Sequence, residues 1–264
     1  MKRILDNQTS MSGLQYIEQI CLVCKGTYKV YIDPQTKEQV YLNDGMLYRS
    51  DCDCSYECFV EETSIKVTAK IKEQANKKNW LDCGINEKQI QHLKESSFKW
   101  PRDFSSSIQQ INRFIENFYV TESKGYIFMG TAGCGKSTLA KKIAIKLLDK
   151  GHKVFYTGFS NLLKHQKDRF SDSELEDKTP HTQNADLLIL DDIGAEKSSE
   201  WSDEVLYNIL EYRYENKLPI IVTTNLTMNE LESRYNKRIY SRLKGIVGST
   251  IEFPKIDYRN ANLS

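Results

Sequence analysis

Continuous apolar runs punctuate the second half of the chain, and the stretches between them carry a helical period. Tyr126-Ile127-Phe128-Met129, Val154-Phe155-Tyr156, Leu187-Leu188-Ile189-Leu190 and Ile220-Ile221-Val222 are apolar at successive positions, the pattern of strands buried on both faces. A last strand is expected over Val247 to Phe253. Ile108 to Tyr119 repeats Ile111, Phe114, Ile115 and Phe118 on one side, which predicts an amphipathic helix leading into the first strand. Further helices are predicted from Thr138 to Lys150, with Gly151 as the stop, from Phe159 to Phe170, and from Ser202 to Asn216. In the last of these Ser202 is the candidate cap, and Leu206, Ile209, Leu210 and Tyr214 form the inner side. Ser171 to Asn184 is polar and is expected to be mobile. Leu231 to Lys244 is locally basic, with Arg234, Lys237, Arg238 and Arg242. Strands alternating with helices predict an α/β fold, a parallel sheet with helices on both faces.

The N-terminal third patterns differently. Tyr28 to Ile32 and Gln39 to Leu42 alternate and are joined through Asp33-Pro34, which predicts a hairpin. Glu61 to Lys78 is charged and lacks Gly and Pro, so a solvated helix is expected, with Lys66, Lys70, Lys72, Lys77 and Lys78 on its wet face. Trp80 to Ser107 is irregular, a connector whose Phe98, Trp100 and Phe104 pack on the following domain. The expected division is 1–60, a linker over 61–107, and a main domain over 108–264.

Composition narrows the class. Hydrophobic residues make up 39% and charged residues 28% of 264 positions, the balance of a globular chain. The net charge of +1 gives no overall basic field, so any nucleic-acid contact must come from local patches. No apolar run nears the roughly 20 residues of a membrane helix. The start, Met1-Lys2-Arg3-Ile4, has no apolar stretch behind it and is not a signal peptide. A cytoplasmic chain is expected, and in that reducing compartment seven cysteines point to metal rather than disulfides.

The chemistry starts at Gly130-Thr131-Ala132-Gly133-Cys134-Gly135-Lys136-Ser137-Thr138, which follows a strand and opens into a helix. Glycine, four residues, glycine, lysine and serine is the spacing of a phosphate-binding loop. Glycines let backbone N–H groups curl around phosphate oxygens, and the helix N-terminus adds partial positive charge. Lys136 is placed for the β- and γ-phosphates of a nucleotide, and the Ser137 hydroxyl for Mg²⁺. Leu187 to Leu190 ends in Asp191-Asp192, a buried strand delivering two acids. Asp191 is the candidate for the Mg²⁺ shell and Asp192 for orienting or deprotonating the attacking water. Gly130, Asp191 and Asn225 all fall at carboxyl ends of strands, where ligands of open α/β sheets bind.

Five cysteines crowd into the first sixty residues. Cys21-Leu22-Val23-Cys24 and Cys52-Asp53-Cys54 are two pairs at the ends of a small β unit, a ligand count that suits tetrahedral Zn²⁺. Cys58 is the alternative for Cys52 or Cys54. Cys83 and Cys134 stand alone as plain thiols.

Three later motifs carry a family likeness. Leu190-Asp191-Asp192-Ile193-Gly194-Ala195-Glu196, then Thr223-Thr224-Asn225-Leu226, then Arg238-Ile239-Tyr240-Ser241-Arg242-Leu243 resemble the DnaC/DnaI-type helicase loaders, AAA+ ATPases related to DnaA and IstB. The likeness covers about residues 80 to 260, and an N-terminal zinc region is common in phage-type members. By this resemblance Asn225 is the residue that polarises water toward the γ-phosphate. Arg242 is the arginine finger that completes a neighbouring subunit's site, and Arg259 is a further nucleotide-sensing arginine. The loop Lys197-Ser198-Ser199-Glu200-Trp201 corresponds to a segment lining a single-strand channel, with Trp201 either stacking a base or packing at a helix start. Eleven residues follow Phe253, too few for the helical lid of most AAA+ proteins.

The resemblance implies an ATP-dependent loader that delivers a DnaB-type hexameric replicative helicase onto single-stranded DNA, with protomers assembling into an ATP-dependent spiral, the N-terminal region gripping the helicase, and no membrane involved. An IstB-like transposition helper binding duplex DNA is the alternative. A small-molecule kinase is a third class, disfavoured by the missing lid and by Asn225 and Arg242.

Overall fold

The computed structural model describes residues 4–5, 15–20, 27–32, 41–42, 49–50, 56–96, 100–120, 123–172 and 174–258. The chain divides into two units, Met1–Gln74 and Ala75–Ser264. The first contains β1 (Ile4–Leu5), β2 (Gln15–Ile20), β3 (Thr27–Ile32), β4 (Tyr41–Leu42) and β5 (Arg49–Ser50), and the boundary falls within helix α1 (Tyr56–Leu81). β3 pairs antiparallel with β2 through six matched positions, Ile17 opposite Val30 among them, and then with β5. This corrects the expected hairpin. Six matched positions close a longer ladder than Tyr41–Leu42 offers, and β4 pairs parallel with β1 instead. The proposed zinc ligands Cys21, Cys24, Cys52 and Cys54 lie outside the described residues. Cys58 falls within α1, and nothing is described of its side chain.

The second unit opens with α2 (Glu87–Glu95), whose start is fixed by the Asn86 side chain accepting from Gln89 N–H at 2.9 Å. The sequence pattern reads this segment as irregular connector; α2 buries no side chain fully, so few apolar positions mark it. A turn of 3₁₀ helix at Arg102–Phe104 runs into α3 (Ser105–Glu116). Trp100 and Phe104 pack on the sheet domain as expected: their centroids are 5.1 Å apart, and Phe104 lies 4.9 Å from Phe253, which meets Phe128.

Five parallel strands follow, interleaved with helices: β6 (Gly125–Met129), α4 (Lys136–Asp149), β7 (Val154–Gly158), α5 (Phe159–Ser171), α6 (Thr179–Asn184), β8 (Leu187–Ile193), α7 (Glu200–Glu215), β9 (Ile220–Thr224), α8 (Met228–Arg234), α9 (Lys237–Ile246) and β10 (Val247–Glu252). The sheet order is β10-β6-β9-β8-β7, all pairs parallel. Alternate strand residues feed two separate cores. Tyr126, Phe128, Leu187, Ile189 and Ile221 join the core with α3 and α4 residues; Ile127, Leu188, Leu190, Ile220 and Val222 join the other, with α5, α7 and α9 residues. Burial on both faces is why these strands read as unbroken apolar runs.

Three local expectations are revised. Thr179–Asn184, within a segment read as mobile, is helical. Ser199 rather than Ser202 caps α7, with Ser202 at the third helical position returning the bond to Ser199 N–H. Tyr214 faces outward at 43% exposure, its ring lying where a side chain at Gly245 would otherwise stand.

Arg213 ties this second core together and left no trace in the sequence pattern. It is fully buried, and its guanidinium donates to the carbonyls of Thr182, Ala185, Asp186 and Pro219 at 2.8, 3.1, 3.4 and 2.7 Å. Burial pushes its pKa down to about 9, partly offset by Asp186, so it still carries its charge at neutral pH. The bonds join the end of α6, the entry to β8 and the entry to β9. Arg213→Met keeps the stem and removes the fork, which takes a charged donor from four carbonyls and leaves Pro219 O with Leu188 N–H alone; unfolding in urea is expected to show a loss of about 3 kcal/mol. A loss under about 1 kcal/mol would mean the carbonyls find other donors.

Candidate functional site

The parallel order decides what meets at the carboxyl edge. β6 ends in the phosphate loop, β8 in the two acids, and β9, lying between them, in Asn225. The middle strand therefore presents a side chain within reach of both neighbours.

The loop has the geometry its glycines predict. Gly130, Gly133 and Gly135 take φ values of 149°, 82° and 97°. A Cβ on Gly130 would lie 3.0 Å from both Cys134 Sγ and Phe253 Cβ. Gly135 is the left-handed N-cap of α4, and no side chain caps the helix. The first-turn N–H groups are thus left for an anion rather than for a neighbouring Ser or Asp. Lys136 is buried to 6% exposure and donates to Gly130 O at 2.7 Å, Thr131 O at 2.8 Å and Asn225 Oδ1 at 2.9 Å. Backbone donors, a converging ammonium and left-handed glycines form a donor set that fits a polyphosphate. Ser137 and Asp191 add hard oxygen ligands that fit Mg²⁺. Cys134 and Cys83 are buried free thiols.

Asn225 is a bridge. Its Oδ1 accepts a hydrogen bond from Lys136 Nζ, and its Nδ2 donates to Asp192 Oδ1 at 2.9 Å. Lys136, Asn225 and Asp192, three residues singled out from sequence, are linked side chain to side chain. Asp191 and Asp192 sit at a register shift of β8 against β9, between Leu190 and Ile193, and Asp192 adopts φ 60°. Thr223 stabilises this bulge from the neighbouring strand: its hydroxyl accepts from Asp192 N–H at 2.8 Å and donates to Asp191 Oδ1 at 2.7 Å. The Asp192 carboxyl is pushed up from its ordinary value by partial burial and by Asp191, against the pull of Lys136. A raised carboxylate pKa suits a group that takes a proton from water.

Glu196 holds the loop after these acids. Its buried carboxylate accepts from Gly194 N–H at 2.8 Å, Arg234 Nη2 at 2.8 Å and the Tyr235 hydroxyl at 2.7 Å. Arg234 also reaches Asp203 at 3.4 Å. Gly194 has φ 87°, and a Cβ there would come within 2.5 Å of Leu226. Glu196 and Thr223 lie inside sequence motifs, but their side-chain partners, Arg234 and Tyr235 for the one and Asp191 for the other, are more than thirty residues away, so spacing gives neither a role. In Glu196→Gln the amide presents N–H to Gly194 N–H or to Arg234. Chemical denaturation is expected to show a loss of about 2 kcal/mol, with nucleotide affinity unchanged within about twofold. An equal fall in nucleotide affinity would place Glu196 in the binding site itself.

Arg242 lies apart from the phosphate loop in its contacts. Its guanidinium forks onto Glu211, with Nη2 at 3.1 Å from Oε1 and a second bond from Nε to Oε2, and lies 4.6 Å from the centre of the Tyr214 ring. Arg242 holds the Glu211 carboxyl below its usual range. Arg238 repeats the arrangement over Tyr207 at 4.7 Å. Trp201 is partly buried against the α7 core with Lys167 4.9 Å from its ring centre, and Lys197 is exposed. Tyr258 N–H donates to Gly133 O at 3.0 Å, which ties the last described residue to the phosphate loop. Arg259 lies outside the described residues. Among the described residues no cluster of His, Cys, Asp and Glu is built to hold a metal ion, and no helix is long and apolar enough to cross a membrane.

Comparison with known proteins agrees with this geometry. A family profile described as IstB-like ATP binding protein matches residues 50–240. The replicative helicase loader DnaI of Bacillus subtilis is 29% identical over 129 residues, 48% of this chain and 42% of that protein, so the match spans less than half of the loader's length. The ATP-binding protein of insertion sequence IS232 from Bacillus thuringiensis is 28% identical over 167 residues, 62% of this chain and 66% of that one. The crystal structure of the DnaC helicase loader superposes with a TM-score of 0.57 at 23% identity, covering 64% of this chain and all of the other. That last likeness is one of fold, the AAA+ P-loop ATPase fold.

Proposed function

We propose that this chain, which belongs to the IstB-like ATP-binding protein family and is a P-loop ATPase, works as an ATP-dependent loader of a DnaB-type hexameric replicative helicase onto single-stranded DNA. The observation that carries the ATPase part is the Lys136–Asn225–Asp192 chain of hydrogen bonds across three adjacent strands. Lys136 and the first-turn N–H groups of α4 bind the phosphates. Ser137 and Asp191 hold Mg²⁺, which when bound neutralises charge developing on the β- and γ-phosphates. Asn225 orients the attacking water, and Asp192 Oδ accepts its proton. Arg242, reaching from the α9 surface of a neighbouring protomer, completes the site in a spiral assembly. The likeness to a named loader supports the choice of partner.

The N-terminal region, 1–60, is proposed to grip the helicase through a zinc-stapled β unit, with 61–107 as helical linker and 108–264 as the ATPase domain. Cys21, Cys24, Cys52 and Cys54 are the proposed ligands and Cys58 the alternative; metal analysis of single Cys→Ser variants separates them. The whole reading is tested by mixing the protein with its hexameric helicase, ATP and circular single-stranded DNA. Gain of helicase on the circles is expected, and no complex together with no gain defeats the loader. The insertion-sequence relative favours a second reading, a transposition helper ATPase. ATP-dependent filaments on duplex DNA, with duplex preferred to single strand, would establish it instead.

A further inference from the structure

Asp191 has two hydroxyl partners. One is Thr223. The other is Tyr156, the third residue of β7, whose hydroxyl donates to Asp191 Oδ2 at 2.6 Å. Nothing in the residue pattern marks Tyr156 as more than a strand residue. The sheet brings it there: β7 pairs with β8 so that Gly158 stands opposite Asp191, and the Tyr156 ring reaches up the shared edge from two residues below. That ring is buried among the α4-side core residues at 9% exposure, and Lys141 Nζ lies 4.9 Å from its centre. A ring so enclosed has little freedom, so its oxygen is a fixed point.

We propose that Tyr156 is a positioning residue for the divalent cation: its hydroxyl fixes the direction of the Asp191 carboxylate and so sets how much Mg²⁺ the nucleotide site requires. This rests on the reading that Ser137 and Asp191 hold Mg²⁺ beside ATP. Mg²⁺ demands near-octahedral geometry at about 2.0–2.1 Å and keeps several of its waters, so it tolerates misdirected donors poorly. With Tyr156 on Oδ2 and Thr223 on Oδ1, each carboxylate oxygen accepts one hydrogen bond and keeps a lone pair for the metal or its water. The carboxylate cannot swing without breaking both bonds. Partners that orient metal ligands in this way typically contribute about 10- to 100-fold to metal affinity.

Tyr156→Phe removes one oxygen and leaves the packing intact. Binding of a fluorescent ribose-labelled ATP is titrated with MgCl₂, and the same nucleotide is titrated without metal in EDTA. In the variant the Mg²⁺ midpoint is expected to rise about tenfold, with metal-free affinity unchanged within about twofold. An unmoved Mg²⁺ midpoint overturns the inference. So does a parallel fall in metal-free affinity, which would make Tyr156 a packing residue of the loop. Wild-type protein that binds the nucleotide with no response to Mg²⁺ would instead defeat the underlying assignment of Ser137 and Asp191.

Discussion

Lys136→Ala is expected to weaken ATP binding about a thousandfold, roughly 4 kcal/mol. The ammonium sits on three oxygens, Gly130 O, Thr131 O and Asn225 Oδ1, all within 2.9 Å. Exchanging those neutral acceptors for phosphate oxygens turns ordinary hydrogen bonds into charge-assisted pairs in a water-poor site, where each is about twice as strong. Alanine loses all of them, and the remaining backbone donors and helix dipole hold the nucleotide alone. Fluorescent-nucleotide titration measures the loss. A deficit under tenfold would remove Lys136 from the phosphate site, whereas a collapse of the fold would be seen separately as a lowered melting temperature without nucleotide.

Arg242→Ala is expected to leave nucleotide binding intact and to lower hydrolysis about 10³-fold, the scale of an arginine finger. Arg242 now forks onto Glu211 over the Tyr214 ring, at a partly exposed surface. Water screens such a pair, so the finger can be lent to a neighbour at small cost relative to what it contributes in the transition state. Mixing separates this from a structural role. A Lys136→Ala protomer has an intact finger and no site; an Arg242→Ala protomer has an intact site and no finger. Combined in one assembly, they are expected to recover part of the wild-type hydrolysis. Normal hydrolysis by Arg242→Ala alone, or silence of the mixture, would end the assignment.

What was legible in the chain follows from distance along it. The phosphate loop is a local device, nine consecutive residues between a strand and a helix, and its glycines take the left-handed angles their spacing demanded. The buried parallel strands were legible because both faces are apolar. α2 was not, since a helix lying half in water needs few apolar positions, and its start depends on the single side chain of Asn86. The α7 cap was displaced by three residues because Ser199 and Ser202 are both competent, and only the backbone shows which accepts first. Tyr214 has the inward spacing yet points out, because Gly245 on α9 leaves room for a ring at the surface. The roles of Tyr156, Thr223, Glu196 and Arg213 are not legible in the sequence. Each acts on groups that folding alone brings near, and no spacing encodes a strand's neighbour.

The bridge at Asn225 has a further consequence. A primary amide has one oxygen and one nitrogen, and here each faces a different opposite: a cation on the left, an acid on the right. Whatever draws Lys136 toward a phosphate frees the oxygen and lets the whole amide turn, and the acid feels that turn through the nitrogen. The site thereby carries its own interlock. On the proposed mechanism, Asp192 would be released to act as the lysine takes hold of a phosphate.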